Sequence, residues 1–473
     1  MCDSNRTERI AVPVCGELLN SAEISSSPHT GQARSLGACR RPGWLKLGIE
    51  VSPATVAKYM MRRRGRSHQG TLNGSFPVVD FAADDPWGFA KLATTLESSS
   101  FVAGHETAPV VLKLKIACIY RLDHVYAPKM ANMAPIRLYR MAAALARRGH
   151  EVDIVVSHHR ERRVLAPRLC EVSSNLVRWN DYQVVKTSFH RGFESLCELG
   201  GGDHPFIISK LGSMVGSGPA EGVHFFGAER EQLFKTQQEI ARKSRLVTIL
   251  TQRSIDLWRR EHGPQPPVLM VPTGVDAEIP PIRSNPYLGL GIEGPVALFA
   301  GHLYSERSQQ SVNVMWTDAL NRLGAKLRRH GIHLVAMGSG RAEHLDREAV
   351  VFVGTMEVDE VWDWQRHAQV GIVLAQGDVQ NNESSKIYYY LRTGLPVVCE
   401  RSVPNASLIE QTGMGTLVDF GNLDGFADAI REVVRHRPIN HRIESYMVEH
   451  HSWDARAALY DPVFAAITRN DVR

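Results

Sequence analysis

The sequences LKIACIY at residues 114–120 and PIRLYRMAAALARRGHEVDIVVSHH at residues 135–159 decide the fold of this chain. The first is apolar enough for a buried strand. In the second, Pro135 suits the first turn of a helix and Gly149 suits its end, and the apolar residues that follow predict another strand. A strand, a helix and a strand within about 45 residues form a βαβ unit, which requires a parallel sheet.

The same alternation continues along the chain. Further strands are predicted around residues 182–190, 204–212, 245–251 and 266–276. A proline-rich stretch at residues 279–295 is typical of a linker, and a second series of strands and helices follows it. We therefore expect an α/β fold with two doubly wound, Rossmann-like domains. Their predicted bounds are residues 111–278 and 279–438, followed by a C-terminal helix at residues 439–473 that packs back across the domains.

Composition predicts an ordinary soluble protein. Of 473 residues, 43% are hydrophobic and 22% charged, and the net charge of +5 is too small to imply nucleic acid as a partner. The seven cysteines are dispersed without a CxxC pair, which favours a reducing compartment and argues against structural zinc. No apolar run approaches the roughly 18 residues of a membrane span, and the start of the chain lacks a signal pattern. These features predict a cytoplasmic protein.

The first part of the chain differs from the rest. Residues 1–110 are rich in Ser, Gly and Arg and show little apolar periodicity, so we expect a largely disordered extension. Within it, residues 47–66, LGIEVSPATVAKYMMRRRGR, resemble the recognition half of a helix-turn-helix as found ahead of the catalytic core in some transposases and integrases. The alternative is a basic amphipathic helix in a poorly ordered extension.

The sequence AQGDVQNNESSKIYYYLRTGLPVVCE at residues 375–400 carries the clearest functional signal. It predicts a loop, a helix, a tight turn and a strand. The N-terminus of a helix has free N–H groups and a partial positive charge, so it suits phosphate. Glu383, Ser384, Ser385 and Lys386 stand just before or at this N-terminus, which suggests a phosphorylated ligand that bears hydroxyl groups. The alternative is a capped surface helix with a solvated charge pair.

An ordered series of motifs resembles the GT-B glycosyltransferases, in particular the family-4 type (glycosyl transferases group 1). The series comprises KIACIY, VPTGVD, AGHLYSERS, MGSGR, VVFVGTM and SKIYYYLRTGLPVV, over residues 115–398. Each motif is weak alone, but their order over most of the chain is specific. The chain also has some likeness to bacterial exopolysaccharide glucuronosyltransferases, which carry an SSxK…GLP version of the last motif.

The resemblance implies transfer of a sugar from a UDP- or GDP-linked donor to a glycan or lipid-linked acceptor, in polysaccharide or glycolipid biosynthesis. Configuration at the sugar would be retained, and no metal or other cofactor would be obligatory. Residues 111–278 would form the acceptor side and residues 279–438 the nucleotide-sugar side. A sugar-nucleotide epimerase on the same fold and a DNA-binding protein that uses residues 47–66 are the alternatives.

The resemblance also assigns residues. The predicted donor-binding residues are Arg307, Gly338, Ser339, Gly340, Ser384, Ser385, Lys386 and Tyr389, and the predicted catalytic residues are His190 and Glu383. Arg307 and Lys386 would hold the diphosphate, and His190, expected at the end of a strand, would face the reacting sugar. Glu383 would bind hydroxyls of the donor sugar or compensate for a missing ribose contact.

Two positions depart from the family pattern, and two other groups of residues suggest a contact with a ligand or with a membrane. His302 replaces an arginine, and Tyr389 stands where a ribose-binding glutamate is expected. The loop at residues 210–216, KLGSMVG, is a further candidate for a ligand contact. Basic residues predict a peripheral contact with the inner face of a membrane through anionic lipid, with a solvated helix face as the alternative. They are Arg137, Arg140, Arg147 and Arg148, with the HHRERR sequence at residues 158–163.

Overall fold

The computed structural model describes residues 113–121, 133–157, 160–218, 227–303 and 310–470, which belong to one compact unit of the chain. The predicted extension at residues 1–110, with its helix-turn-helix resemblance at 47–66, lies outside these residues. Within the described part, no helix combines the length and the apolar character needed to cross a membrane.

The first half of the described chain forms an eight-stranded sheet. Its strands are β1 (Lys115–Ile119), β2 (Glu151–Val156), β3 (Arg163–Ala166), β4 (Leu169–Ser173), β5 (Val184–Ser188), β6 (Ile207–Lys210), β7 (Leu246–Ile249) and β8 (Val268–Met270). The strand order is β3-β4-β2-β1-β5-β6-β7-β8, and every pair is parallel except β3 with β4. The central strands β1, β2 and β5 are buried along nearly their whole length because helices cover both faces of the sheet.

Four helices accompany this sheet: α1 (Met133–Arg147), α2 (Phe189–Glu198), α3 (Gly227–Lys243) and α4 (Gln252–His262). Helix α1 ends at a turn with Gly149 at φ +102°, which agrees with the stop predicted there. Helix α2 was not predicted. The strand before it was expected to run to His190, but it ends at Ser188 because Phe189 adopts φ +60° and turns the chain into the helix.

The second half forms a six-stranded, fully parallel sheet. Its strands are β9 (Val296–Ala300), β10 (His333–Met337), β11 (Val350–Gly354), β12 (Val370–Val373), β13 (Val397–Glu400) and β14 (Gly415–Val418). Their order, β11-β10-β9-β12-β13-β14, is that of a doubly wound sheet. The helices are α5 (Gln310–Arg328), α6 (Val358–His367), α7 (Ser385–Arg392), α8 (Ser407–Thr412) and α9 (Leu423–Arg435). The predicted fold class, α/β with two Rossmann-like sheets, is confirmed.

The C-terminal helices return to the first sheet. Helix α10 (Ile443–His451) packs on α7, whereas α11 (Trp453–Ala458) packs on α1, and α12 (Asp461–Asn470) follows. Trp453, Tyr460 and Phe464 are buried in the same apolar cluster as Ile116 and Leu145 of the first sheet layer. The end of the chain therefore completes the core that its first strand begins.

Each sheet has one point where the order of its strands reverses. In the first sheet this point lies between β1 and β5, and in the second between β9 and β12. Crossover helices leave to opposite faces there, so a crevice opens beyond the carboxyl ends of the two strands. Residues just after these four strands are therefore where the fold makes room for a ligand.

Candidate functional site

A cleft with a volume of about 500 Å³ lies at these reversal points. Tyr120 and Phe189 reach it from the ends of β1 and β5, and Gly301 and Leu374 reach it from the ends of β9 and β12. A cleft of this size suits a small organic ligand. Both sheets thus contribute walls to one site.

The N-terminus of helix α7 opens into this cleft. Ser384, Ser385 and Lys386, all predicted as donor-binding, line it together. The backbone N–H of Ser384 donates to Asn405 Oδ1 at 2.9 Å, and the Ser384 carbonyl accepts from Asn405 Nδ2 at 2.9 Å. Asn405 therefore fixes the entry of the helix, while the side-chain hydroxyls of the two serines remain at the cleft wall.

Lys386 lies in a tightly built position. Its Nζ is 5.0 Å from the ring centroids of both Phe299 and Trp316. A Cβ at Gly301 would lie 2.8 Å from this Nζ, so a larger residue at this position would displace the ammonium from its present place. Desolvation lowers the pKa of Lys386 to about 8. The ammonium is thus held at the cleft by aromatic faces, ready for an anion that would stabilise its charge.

Gly338 and Gly340, in the predicted donor-binding loop, allow this loop to lie very close to the loop at residues 301–303. A Cβ at Gly338 would lie 2.0 Å from the carbonyl oxygen of Gly301, and one at Gly340 would lie 1.4 Å from that of Leu303. Leu303 N–H donates to Ser339 O at 2.7 Å, and His302 Nδ1 is 2.7 Å from Ser339 Oγ. Gly338 and Ser339 line the cleft, whereas Gly340 is outside its lining.

Substitution of Gly340 by alanine is expected to lower the free energy of unfolding by about 1–2 kcal/mol, because the backbone has φ +106° and the new Cβ meets the Leu303 carbonyl. Urea unfolding measures this change. Gly289→Ala is the matched control, since its Cβ would meet no atom within 4 Å. Equal stability of the two variants would contradict the close approach.

Glu383, predicted as catalytic, is buried at the cleft wall and is held from two sides. Its Oε1 accepts from the backbone N–H of Thr273 at 2.7 Å and from the Thr273 hydroxyl, and its Oε2 accepts from the Tyr388 hydroxyl at 3.1 Å. Thr273 follows the last strand of the first sheet, so Glu383 joins the two sheets. A carboxylate accepts about four hydrogen bonds, which leaves capacity on Oε2 for one ligand hydroxyl.

The loop before Glu383 is also held by residues of the first sheet layer. Asn381 O accepts from the hydroxyls of Thr251 at 2.7 Å and Ser254 at 2.6 Å, and Gln380 O accepts from Arg253 Nη1 at 2.6 Å. We call these three donors the clamp. Because they bind main-chain carbonyls, the clamp fixes the path of the loop that leads to Glu383 and Lys386.

Tyr389 lies on the second-sheet side of the cleft. Its ring stacks on Trp362 with centroids 5.3 Å apart and an interplanar angle of 24°. Both rings line the cleft. Tyr389, at the position where the family pattern has a glutamate, thus forms an aromatic wall of the cleft together with Trp362.

His190 is not brought to the cleft. It lies in the first turn of α2, is buried, and its Nε2 is 3.2 Å from Gln237 Oε1. Burial lowers its pKa to about 4. Gln237 in turn accepts from Val215 N–H at 3.0 Å and donates to Val215 O at 2.8 Å. The neighbouring Phe189 occupies the position at the cleft that the sequence prediction gave to His190, whose catalytic role stays a prediction.

Two further predictions concern Arg307 and the arginines proposed for contact with lipid. Arg307 falls in residues 304–309, outside the described part of the chain. Three of the arginines proposed for lipid contact form ion pairs within the chain: Arg140 with Asp276, Arg147 with Asp454, and Arg148 with Asp461. Their charges are balanced by these carboxylates, which weakens the argument for a membrane surface. The fourth, Arg137, lines the cleft.

Sequence reasoning missed several cleft residues. They are Tyr120, Arg137 as a cleft residue, Phe189, Trp362, Gln380 and Asn382, whereas Ser213 belongs to the loop at residues 210–216 that the sequence analysis proposed for a ligand contact. The position of Tyr120 and Phe189 directly after the strands that flank the reversal point was a usable signal. The others depend on how the two sheets face each other, which no local pattern encodes.

Comparisons with known proteins agree with this architecture. A family model described as "Glycosyl transferases group 1" matches residues 294–436, which contain the whole second sheet. No curated protein sequence matches the chain. The structure of sucrose-phosphate synthase from Thermosynechococcus elongatus is similar with a TM-score of 0.59 at 15% identity, over 75% of this chain and 100% of that chain.

Two other structures share the fold. The α,α-trehalose-phosphate synthase (UDP-forming) from Burkholderia xenovorans, in complex with glucose-6-phosphate, has a TM-score of 0.51 at 10% identity, over 75% of this chain and 100% of that chain. The catalytic domain of starch synthase IV from Arabidopsis thaliana, bound to ADP and acarbose, has a TM-score of 0.51 at 12% identity, over 76% and 100%. Residues 294–436 therefore match the group 1 glycosyltransferase model, and the described part of the chain shares the GT-B fold of these three structures.

Proposed function

We propose that this protein transfers a sugar from a nucleotide-sugar donor to an acceptor hydroxyl in the cleft between its two sheets. The observation that carries the proposal is the meeting of Lys386, the N-terminus of α7 and Glu383 in one cleft at the reversal point of the second sheet. A cation and a helix N-terminus suit a diphosphate, and a carboxylate suits the hydroxyls of a sugar.

The diphosphate of the donor would lie against Lys386 and the backbone N–H group of Ser385, since the N–H of Ser384 is already bound by Asn405. Charge grows on the phosphate oxygens when the bond to the sugar breaks, so these groups stabilise the leaving group. Arg307 is proposed as a second phosphate contact. The nucleoside would lie along the aromatic wall of Trp362 and Tyr389. In the starch synthase structure ADP is the nucleoside diphosphate named, and for this chain we propose a UDP- or GDP-linked donor.

Glu383 would orient the donor sugar through one hydroxyl. The bond between the anomeric carbon and the diphosphate oxygen breaks, the acceptor oxygen bonds to that carbon, and the acceptor proton passes to the leaving diphosphate. Attack on the face that the diphosphate leaves retains configuration. The acceptor is proposed to be a glycan or a lipid-linked sugar, as in polysaccharide or glycolipid biosynthesis.

A panel of nucleotide sugars tests the proposal. We expect one donor class to raise the melting temperature of the full chain and to be hydrolysed slowly to its nucleoside diphosphate without an acceptor. Epimerisation of the sugar in place of release would support the epimerase alternative. A panel in which no nucleotide or nucleotide sugar binds would overturn the proposal.

Binding of the nucleoside diphosphate is expected to weaken above pH 8. The pKa of Lys386 is about 8, below the ordinary value of 10.5, so the free protein loses this charge as the pH rises through 8. Below pH 8 the affinity should be constant, and above it the affinity should fall by up to tenfold per pH unit. Calorimetric titrations between pH 7 and 9.5 measure this. Lys386→Arg keeps its charge and should remove the decline, whereas the same decline in both proteins would contradict the assignment.

A further inference from the structure

A small recess lies behind Phe189, on the first-sheet side of the cleft. Phe189 and Arg137 line both the cleft and the recess, and Lys186 and Lys210 lie within the recess. Its volume of about 20 Å³ is enough for one oxygen-sized group but not for a sugar. Three basic side chains thus surround a space that admits only the tip of a ligand held in the cleft.

Lys210 is the most unusual of these residues. It is 92% buried, as its side chain shows 8% exposure, and its Nζ has no hydrogen-bond partner among the described residues. Lys186 is still more buried, at 4% exposure, with Nζ 5.4 Å from the ring centroid of Tyr460. Burying an ammonium without a hydrogen-bonded oxygen costs free energy, and a purely structural role would not compensate for that cost. A bound oxyanion would supply the partner that Lys210 lacks among the described residues.

Phe189 covers this pair of lysines. The Nζ of Lys210 lies 3.9 Å from the ring centroid of Phe189, and Tyr120 packs on the ring edge at 5.7 Å between centroids. Phe189 has φ +60°, a left-handed conformation that costs a non-glycine residue about 1–2 kcal/mol. Strain of this kind is kept where the surrounding structure needs one particular placement of a side chain. Here it places an aromatic ring between the cleft and the buried charges.

The positive charges of Lys210, Arg137 and Lys186 repel one another in the recess. Burial lowers the pKa of Lys210 well below its ordinary value, and the charges of Arg137 and Lys186 lower it further. Glu383 acts in the opposite direction, and its oxygens accept hydrogen bonds from Thr273 and Tyr388 rather than from Lys210. An additional anion beside Lys210 would therefore be stabilised by three cations at once.

We propose that Lys186, Lys210 and Arg137 form an oxyanion subsite that receives a carboxylate or phosphate group of the acceptor. This inference rests on the proposed function, because it identifies the acceptor as an anionic one. The acceptor hydroxyl then lies in the cleft while one oxygen of its anionic group enters the recess beside Phe189. The subsite is separate from Lys386, which serves the donor diphosphate from the opposite sheet.

Titration of the full chain with inorganic phosphate, by calorimetry, tests the subsite. We expect phosphate to bind also when a nucleoside diphosphate saturates the donor site. Lys210→Met and Lys186→Met should each weaken this phosphate binding at least tenfold, and Lys235→Met, at an exposed position of α3, should leave it unchanged. Acetate in place of phosphate distinguishes the two chemistries: comparable binding of both assigns a carboxylate, and binding of phosphate alone assigns a phosphate group.

The outcomes separate this inference from the proposed function. Phosphate binding that the nucleoside diphosphate abolishes, or that survives Lys210→Met, overturns the subsite and leaves the donor site intact. Failure of every nucleoside diphosphate to bind would overturn the proposed function, and phosphate titration of the free protein would still be readable. Should a lysine variant fail to fold, Phe189→Ala replaces it: opening the recess should raise the phosphate affinity several-fold, and unchanged affinity contradicts the subsite.

Discussion

Lys386→Met is expected to weaken binding of the nucleoside diphosphate by roughly 10- to 150-fold, which corresponds to the 1.5–3 kcal/mol of a hydrogen bond to a charged group. The ammonium lies at the entrance of α7 between two aromatic rings, and no other described lysine lines the cleft. Isothermal titration with the nucleoside diphosphate found in the donor panel measures the loss.

The stability of this variant separates lost binding from lost structure. Desolvation lowers the pKa of Lys386, so the folded state disfavours its charged form at neutral pH. Removing the amine should therefore leave the free energy of unfolding equal or higher. Lys235→Met, at an exposed position of α3, is the matched control for the loss of one charge. An unchanged affinity in Lys386→Met, or an equal loss in Lys235→Met, would rule out the proposed phosphate contact.

Glu383→Ala is expected to lower the free energy of unfolding by about 3 kcal/mol or more and to abolish turnover. The substitution leaves the Thr273 N–H, the Thr273 hydroxyl and the Tyr388 hydroxyl without their acceptor in a buried place. Each unsatisfied buried group costs about 1–3 kcal/mol. Urea unfolding measures the first effect, and release of the nucleoside diphosphate measures the second.

Glu383→Gln is the informative companion of this variant. Its amide oxygen can still accept from Thr273, and its NH₂ group can donate to the Tyr388 oxygen, so stability should stay within about 1 kcal/mol of the wild type. The charged oxygen available to the sugar is lost, so turnover should fall strongly at unchanged stability. Wild-type turnover in the glutamine variant would refute a role in the reaction, and wild-type stability in the alanine variant would refute the bonding described here.

Most elements of the fold could be predicted because short stretches of the sequence encode them. The βαβ unit at residues 114–156 is encoded by an apolar strand, a proline at a helix start and a glycine at its end, and the structure has these elements. Helix α2 was missed because a single residue, Phe189, leaves the strand conformation. No composition or periodicity signals a left-handed phenylalanine.

One wall of the candidate cleft could be predicted from the sequence, because its residues lie in one short segment. Ser384, Ser385, Lys386 and Glu383 line the cleft together because they share one short segment with a helix entrance, and their roles in binding and catalysis stay predictions. The opposite wall comes from Tyr120, Phe189 and Ser213, which are far apart in the chain and meet only when the two sheets face each other. His190 was misplaced by one residue, and in a chain that turns at that point one residue moves the side chain from the cleft to the core.

The clamp has a consequence for how this site tolerates change. Thr251, Ser254 and Arg253 bind the carbonyl oxygens of Gln380 and Asn381, and every amino acid offers the same carbonyl. Such recognition does not depend on the identity of the residue that is held. Side chains of the loop that face the cleft can therefore change while these three hydrogen bonds keep the backbone of the loop on one path.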